Sequence, residues 1–177
     1  LVLDPAGPNV LQSNTINYKI VRPAADFILT KTVAPVATGI GGVFTFTVKI
    51  DNTSGNIGTN LLFEDTFPKV LTILNVISND ADDDVPDTNE LAVINSSTAN
   101  RFIQFGLSDI PANGGRKITI FAQVNNLAKV TSNYGNTAYI RTSDLTKVWQ
   151  SNTVTYQIIT DIVLPPTGGK EIDRSIL

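Results

Sequence analysis

The chain has 177 residues, 42% apolar, 16% charged and 7% aromatic, with a formal net charge of −3. That length suits one domain of about 100–200 residues with short extensions, long enough to bury a core without metal or disulfide staples, and the 13 Lys and Arg residues make no basic field for nucleic acid or anionic lipid. Cys and His are both absent, which excludes disulfides, thiolate and imidazole metal sites, Cys or Ser-His nucleophilic triads, and histidine acid–base chemistry.

Met is absent too, so Leu1 is not a translation start, and the chain is expected to be processed or to be a piece of a longer one. No apolar run reaches the 18 residues of a membrane span. Nothing in the residue pattern calls for a cofactor.

The first residues repeat the last strand. Gln12-Ser13-Asn14-Thr15-Ile16-Asn17-Tyr18-Lys19-Ile20 matches Gln150-Ser151-Asn152-Thr153-Val154-Thr155-Tyr156-Gln157-Ile158, and 7 of the 20 positions from Leu1 to Ile20 are identical to those from Tyr139 to Ile158. Residues 1–23 then read as the closing hairpin of a preceding, similar domain, residues 24–160 as one whole domain, and residues 161–177 as a carboxyl-terminal linker. Tandem copies joined end to end make a rod. The same tail, free of its parent sheet, also suits donation as a strand to a neighbouring molecule.

Within 24–160 helical signals are almost missing, while Thr, Val, Ile and Asn are abundant and Gly and Pro recur at short intervals. Strands are predicted at Phe27–Val33, Val43–Asn52, Asn60–Thr66, Leu71–Ser78, Leu91–Asn95, Arg101–Gly106, Arg116–Val124, Asn136–Thr142 and Asn152–Ile159. Phe44, Phe46, Val48 and Ile50 alternate with Thr45, Thr47, Lys49 and Asp51, the period of a strand with one buried face. Turn clusters at Gly39–Gly42, Ser54–Asn56 and Pro111–Gly115 separate the runs. About eight or nine short strands at this spacing predict an all-β, Greek-key, immunoglobulin-like sandwich. Trp149 is expected to anchor a core or an edge. Asn52-Thr53-Ser54 and Asn95-Ser96-Ser97, which match the glycosylation acceptor pattern, read as turn chemistry.

Three polar residues fall on faces the pattern assigns to the core. Lys31 shares a face with Phe27, Leu29 and Val33; Asp65 with Leu61 and Phe63; Asn136 with Ala138 and Ile140. A lone buried charge costs several kcal/mol, so these side chains need partners. One reaction suits the three types. A desolvated Lys has a lowered pKa and a nucleophilic amine, and a buried Asp has a raised pKa and carries a proton. Amine attack on a carboxamide expels ammonia and leaves an amide crosslink, once per molecule and without a cofactor. The alternatives are an uncrosslinked hydrogen-bonded trio, or a Lys31 that reaches out to the sheet edge. Asn152, placed in register with Val154, Tyr156 and Ile158, is a lower-ranked acceptor.

Leu29-Thr30-Lys31-Thr32-Val33, then Phe63-Glu64-Asp65-Thr66-Phe67-Pro68, then Gly135-Asn136-Thr137-Ala138 resemble the DUF11-type repeat domain of bacterial cell-surface proteins. The order Lys, Asp, Asn is also similar to that of the CnaA-type domains of Gram-positive adhesins and pilins, which form internal isopeptide bonds. The resemblance implies Lys31 as amine, Asn136 as acceptor and Asp65 as catalyst. Phe67 departs from the Leu usual at that place.

Leu164-Pro165-Pro166-Thr167-Gly168 fits the sorting pattern L-P-x-T-G, which sortase cuts between Thr and Gly. The prolines keep such a segment extended. The residues that follow supply neither the apolar span nor the basic tail of a complete signal, and a Pro/Gly linker gives the same pattern by accident. Asn79–Asp87 holds five Asp; Asp80, Asp82, Asp84 and Asp87 are weak Ca²⁺ candidates, but the Gly and closing Glu of an EF-hand are missing, and a solvated acidic connection is the simpler reading.

The sequence therefore predicts a non-enzymatic structural module of an extracellular bacterial stalk or fibre, partnered by copies of the same domain and by sortase and the cell wall. Two rivals stand beside it: a filament subunit built by strand donation, and an adhesive module whose loops bind a ligand.

Overall fold

The alternation of apolar and polar residues sets the strands and decides which side of each is buried. The computed structural model describes residues 24–80, 101–128 and 131–160. Eleven strands run in chain order: β1 Phe27–Ala34, β2 Ala37–Gly39, β3 Val43–Asn52, β4 Leu61–Thr66, β5 Leu71–Asp80, β6 Phe102–Leu107, β7 Gly115–Val124, β8 Ser132–Asn136, β9 Ala138–Thr142, β10 Val148–Gln150 and β11 Val154–Ile159. They form three sheets, ordered β1-β3-β7-β5, β10-β9-β4-β6 and β2-β11-β8. This is the all-β, immunoglobulin-like sandwich that the strand spacing predicts. No helix among the described residues is long and apolar enough to cross a membrane.

The core forms where the inner faces meet. Phe44, Phe46, Val48 and Ile50 of β3 are fully buried, with Phe63 of β4, Ile103 of β6 and Ile118, Ile120 and Ala122 of β7. Each large apolar side chain so buried stabilises the fold by about 1.5–3 kcal/mol. The strand pairs are antiparallel except β11 with β2, which is parallel.

Several elements differ from expectation. The predicted strand Asn136–Thr142 breaks at Thr137: Asn136 ends β8, which pairs with β11, whereas Ala138 opens β9, which pairs with β4. The chain thus leaves one sheet and enters another within a single residue. The short strands β2, β8 and β10 carry no long periodic run that a sequence could display. The last strand begins at Val154, and Asn152 is exposed before it. Trp149 is an edge anchor, its ring 5.0 Å from that of Phe27 in a T-shaped contact and its Nε1 donating to Asp26 Oδ1 at 2.7 Å. Asn52 is turn chemistry: its Nδ2 donates to the Asn56 and Pro111 carbonyls, and its Oδ1 accepts from the Ser54 amide and hydroxyl.

The expected tail 1–23, the strand Leu91–Asn95, the Asn95 pattern, Asp82, Asp84, Asp87 and the motif Leu164–Gly168 lie outside the described residues. The main chain of Asp80 is the last residue of β5, opposite Arg116 of β7. Among the described residues no group of three or more His, Cys, Asp or Glu is placed to hold a metal ion.

Candidate functional site

Three buried polar side chains, one from each sheet, are brought together through Asp65. Lys31 points inward from the middle of β1, where Phe27 and Leu29 on the same face are also buried. Asp65 points inward near the end of β4, opposite Ile103 on one side and Ala138 on the other. Asn136 closes β8 at the point where the chain changes sheets. Their residual exposures are 1%, 1% and 3%, so water reaches none of them appreciably.

Asp65 joins the other two. The Lys31 side-chain nitrogen Nζ contacts Asp65 Oδ2. Asn136 Nδ2 donates to Asp65 Oδ1 at 2.8 Å and to the Thr66 carbonyl at 2.9 Å. Two acceptors on one nitrogen fix the orientation of the amide. The Asn136 Oδ1 is left buried with no hydrogen-bond partner.

Burial governs the charges. It lowers the Lys31 pKa below the ordinary 10.5, against the attraction of Asp65. It raises the Asp65 pKa above the ordinary 3.8, against Lys31 and the hydrogen bonds from Lys31, Asn136 and the Thr66 amide. Both shifts move the proton from amine to carboxyl and favour the neutral pair. Two rings line the amine: Nζ lies 5.5 Å from the Phe46 centroid and 5.3 Å from that of Phe67. Their pull on an ammonium is about 0.5–2 kcal/mol. Removing an ion from water costs several kcal/mol, so desolvation wins. Phe67 therefore supplies one aromatic wall of the amine pocket.

An amine and a carboxamide thus sit on the two oxygens of one carboxyl, and burial favours the neutral forms of the amine and the carboxyl.

Asn152 does not join the trio. Its Oδ1 accepts from the Lys31 main-chain N–H at 2.8 Å, and its Nδ2 donates to the Lys31 carbonyl at 3.0 Å. The amide thus serves as a rung of sheet on the outer edge of β1, beside the parallel bridge of Leu29 to Ser151.

Tyr156 of β11 is a neighbour that period and composition did not mark. Its ring lies 5.2 Å from Phe46, 4.8 Å from Phe44 and 5.7 Å from Tyr134. Its hydroxyl is buried without a hydrogen-bond partner. Burial, then the charges of Asp65 and Tyr134, push its pKa up, so the phenol keeps its proton.

No protein-family model matches the sequence, and no curated protein does. Solved structures do share the fold. Domains D2 and D3 of the major pilin SpaD from Corynebacterium diphtheriae align with a TM-score of 0.58 at 17% identity, over 72% of this chain and 52% of that one. The major pilin subunit BcpA of Bacillus cereus aligns at 0.56 and 15%, over 76% and 40%. The amino-terminal domain of the Streptococcus gordonii adhesin Sgo0707 aligns at 0.61 and 11%, over 75% and 32%. The chain thus spans about a third to a half of these three solved chains. The TM-scores show a fold in common with these bacterial pilin and adhesin domains.

Proposed function

We propose that the chain is a structural module of a bacterial surface fibre, stalk or pilus, stiffened by an isopeptide bond between Lys31 and Asn136 that Asp65 catalyses once. The observation that carries this reading is the convergence of an amine, a carboxyl and a carboxamide, one from each sheet, in a pocket closed to water. A stable fold gains little from such a trio as it stands, since apolar residues of similar volume are often as stabilising as a buried ion pair.

The chemistry balances without any co-reactant. The Lys31 Nζ lone pair attacks Cγ of Asn136 and forms the new C–N bond. A proton leaves Nζ for Asp65, and Asp65 delivers a proton to Nδ2. The Cγ–Nδ2 bond breaks, ammonia departs, and Asp65 ends as it began. No turnover of an external substrate is involved. The fold shared with pilin and adhesin domains supports an extracellular setting and neighbouring copies of the domain as partners, and the fit of Leu164–Gly168 to the L-P-x-T-G pattern supports attachment by sortase to the cell wall.

The test is the intact mass of the purified chain. A mass lower than calculated by one ammonia, and returned to the calculated value by Lys31→Ala and by Asn136→Ala, is the expected result. A wild-type chain of full calculated mass overturns the crosslink.

A further inference from the structure

Two buried polar groups beside the trio are unsatisfied, and they are complementary. Asn136 Oδ1 is an acceptor without a donor, and the Tyr156 hydroxyl is a donor without an acceptor. Val154 pairs with Asn136 and Tyr156 pairs with Tyr134, so Asn136 and Tyr156 are diagonal neighbours on adjacent strands. Both face inward. Aromatic side chains span that diagonal, whose Cβ separation is about 7–8 Å or less. Phe46 borders both groups, its ring centroid 5.5 Å from the Lys31 amine nitrogen and 5.2 Å from the Tyr156 ring.

We infer that the Tyr156 hydroxyl is the donor that stabilises the negative charge developing on Asn136 Oδ1 during crosslink formation. This rests on the isopeptide reading above. When Nζ attacks, the Nζ–Cγ bond forms and the carbonyl electron pair moves onto Oδ1. The phenol donates a hydrogen bond to that oxygen and gives up no proton. The pair returns as the Cγ–Nδ2 bond breaks, and ammonia leaves with the proton Asp65 delivered. A hydrogen bond made only as charge develops lowers the barrier without stabilising the reactant. The raised pKa of Tyr156 fits this role, because a phenol that keeps its proton stays a donor. The aromatic neighbours Phe44, Phe46 and Tyr134 hold the ring against swinging away.

The experiment is a time course of ammonia loss by intact mass, on freshly synthesised full chain, for wild type and Tyr156→Phe. Loss of one such donor is expected to slow the reaction about a hundredfold. A second measurement separates chemistry from packing. In a Lys31→Ala background, where no crosslink forms, Tyr156→Phe is expected to melt no lower, since the hydroxyl removed has no partner. Tyr156→Phe that crosslinks at the wild-type rate overturns this inference and leaves the isopeptide reading standing. A wild-type chain that never loses ammonia overturns both.

Discussion

Lys31 and Asn136 occupy opposite oxygens of one carboxylate: Nζ of Lys31 is on Oδ2 of Asp65 and Nδ2 of Asn136 is on Oδ1. The amine comes from the first sheet and the carboxamide from the third. In the proposed crosslinking, the route a proton takes from nucleophile to leaving group would therefore be two hydrogen bonds long, with Asp65 in the middle. A carboxyl placed on only one of the two nitrogens would have to reorient during that reaction.

Asp65→Ala is expected to abolish ammonia loss, read as full intact mass. Its effect on stability is best measured in an Asn136→Ala background, where no variant crosslinks. There, removing Asp65 leaves the buried Lys31 amine without its partner and is expected to cost about 1–3 kcal/mol in denaturant unfolding. Replacing both members, Lys31→Met with Asp65→Leu, is expected to recover most of that loss, because both buried polar groups are removed together. Equal stability of the single and the double variant would contradict the placement of the pair in the core.

The crosslinking rate is expected to be level through neutral pH and to fall on both sides. Reaction needs one proton shared by the pair: a free amine on Lys31 and an acid on Asp65. Burial lowers the Lys31 pKa and raises that of Asp65, which favours this state over the ion pair. Toward acid the pair takes a second proton, the amine becomes ammonium, and the rate drops. Toward alkali the shared proton is lost and no acid remains for the leaving nitrogen. A rate that climbs steadily up to pH 10 would instead mean an exposed lysine of ordinary pKa.

Asn152→Ala is expected to leave ammonia loss complete while lowering stability by about 1–3 kcal/mol. The side chain makes two hydrogen bonds to the main chain of Lys31 and none to Asp65. Its removal strands one N–H and one C=O on the edge of β1. Intact mass and thermal melting together check this. A full-mass Asn152→Ala chain would make Asn152 a participant in the chemistry and not a rung of sheet.

Much of this was legible in the residues, for a definite reason. Period-two alternation displays a buried face directly, so Phe44–Ile50 announced the core. The same alternation exposed Lys31, Asp65 and Asn136 as polar residues at apolar positions, and the structure puts all three in one place. The change of sheet at Thr137 was hidden, because the inward positions 136, 138 and 140 keep their alternation across the break. Asn152 was misplaced by the same extrapolation, carried past the start of β11. Tyr156 was named only in the repeat and for its register with Val154 and Ile158 on the last strand. Its orphaned hydroxyl depends on which strand lies beside it, and a single strand's pattern does not contain that.

The crosslink, if formed, divides the domain mechanically, and not between the first and last strands. Lys31 is on β1, but Asn136 is on β8, with β9, β10 and β11 still to come. Force applied at residues 24 and 160 enters β1, crosses the Lys31–Asn136 bond and leaves through β9 to β11. Residues 32–135 are out of the load path. At about 3.4 Å per residue that loop would have contributed about 350 Å of extension. Single-molecule stretching is therefore expected to show a wild-type contour gain about 350 Å shorter than that of Asn136→Ala. The strands after Asn136 are not shielded, so wild type still yields a short extension as β9, β10 and β11 peel away. Equal gains for the two chains would show that no covalent tie carries the load between these residues.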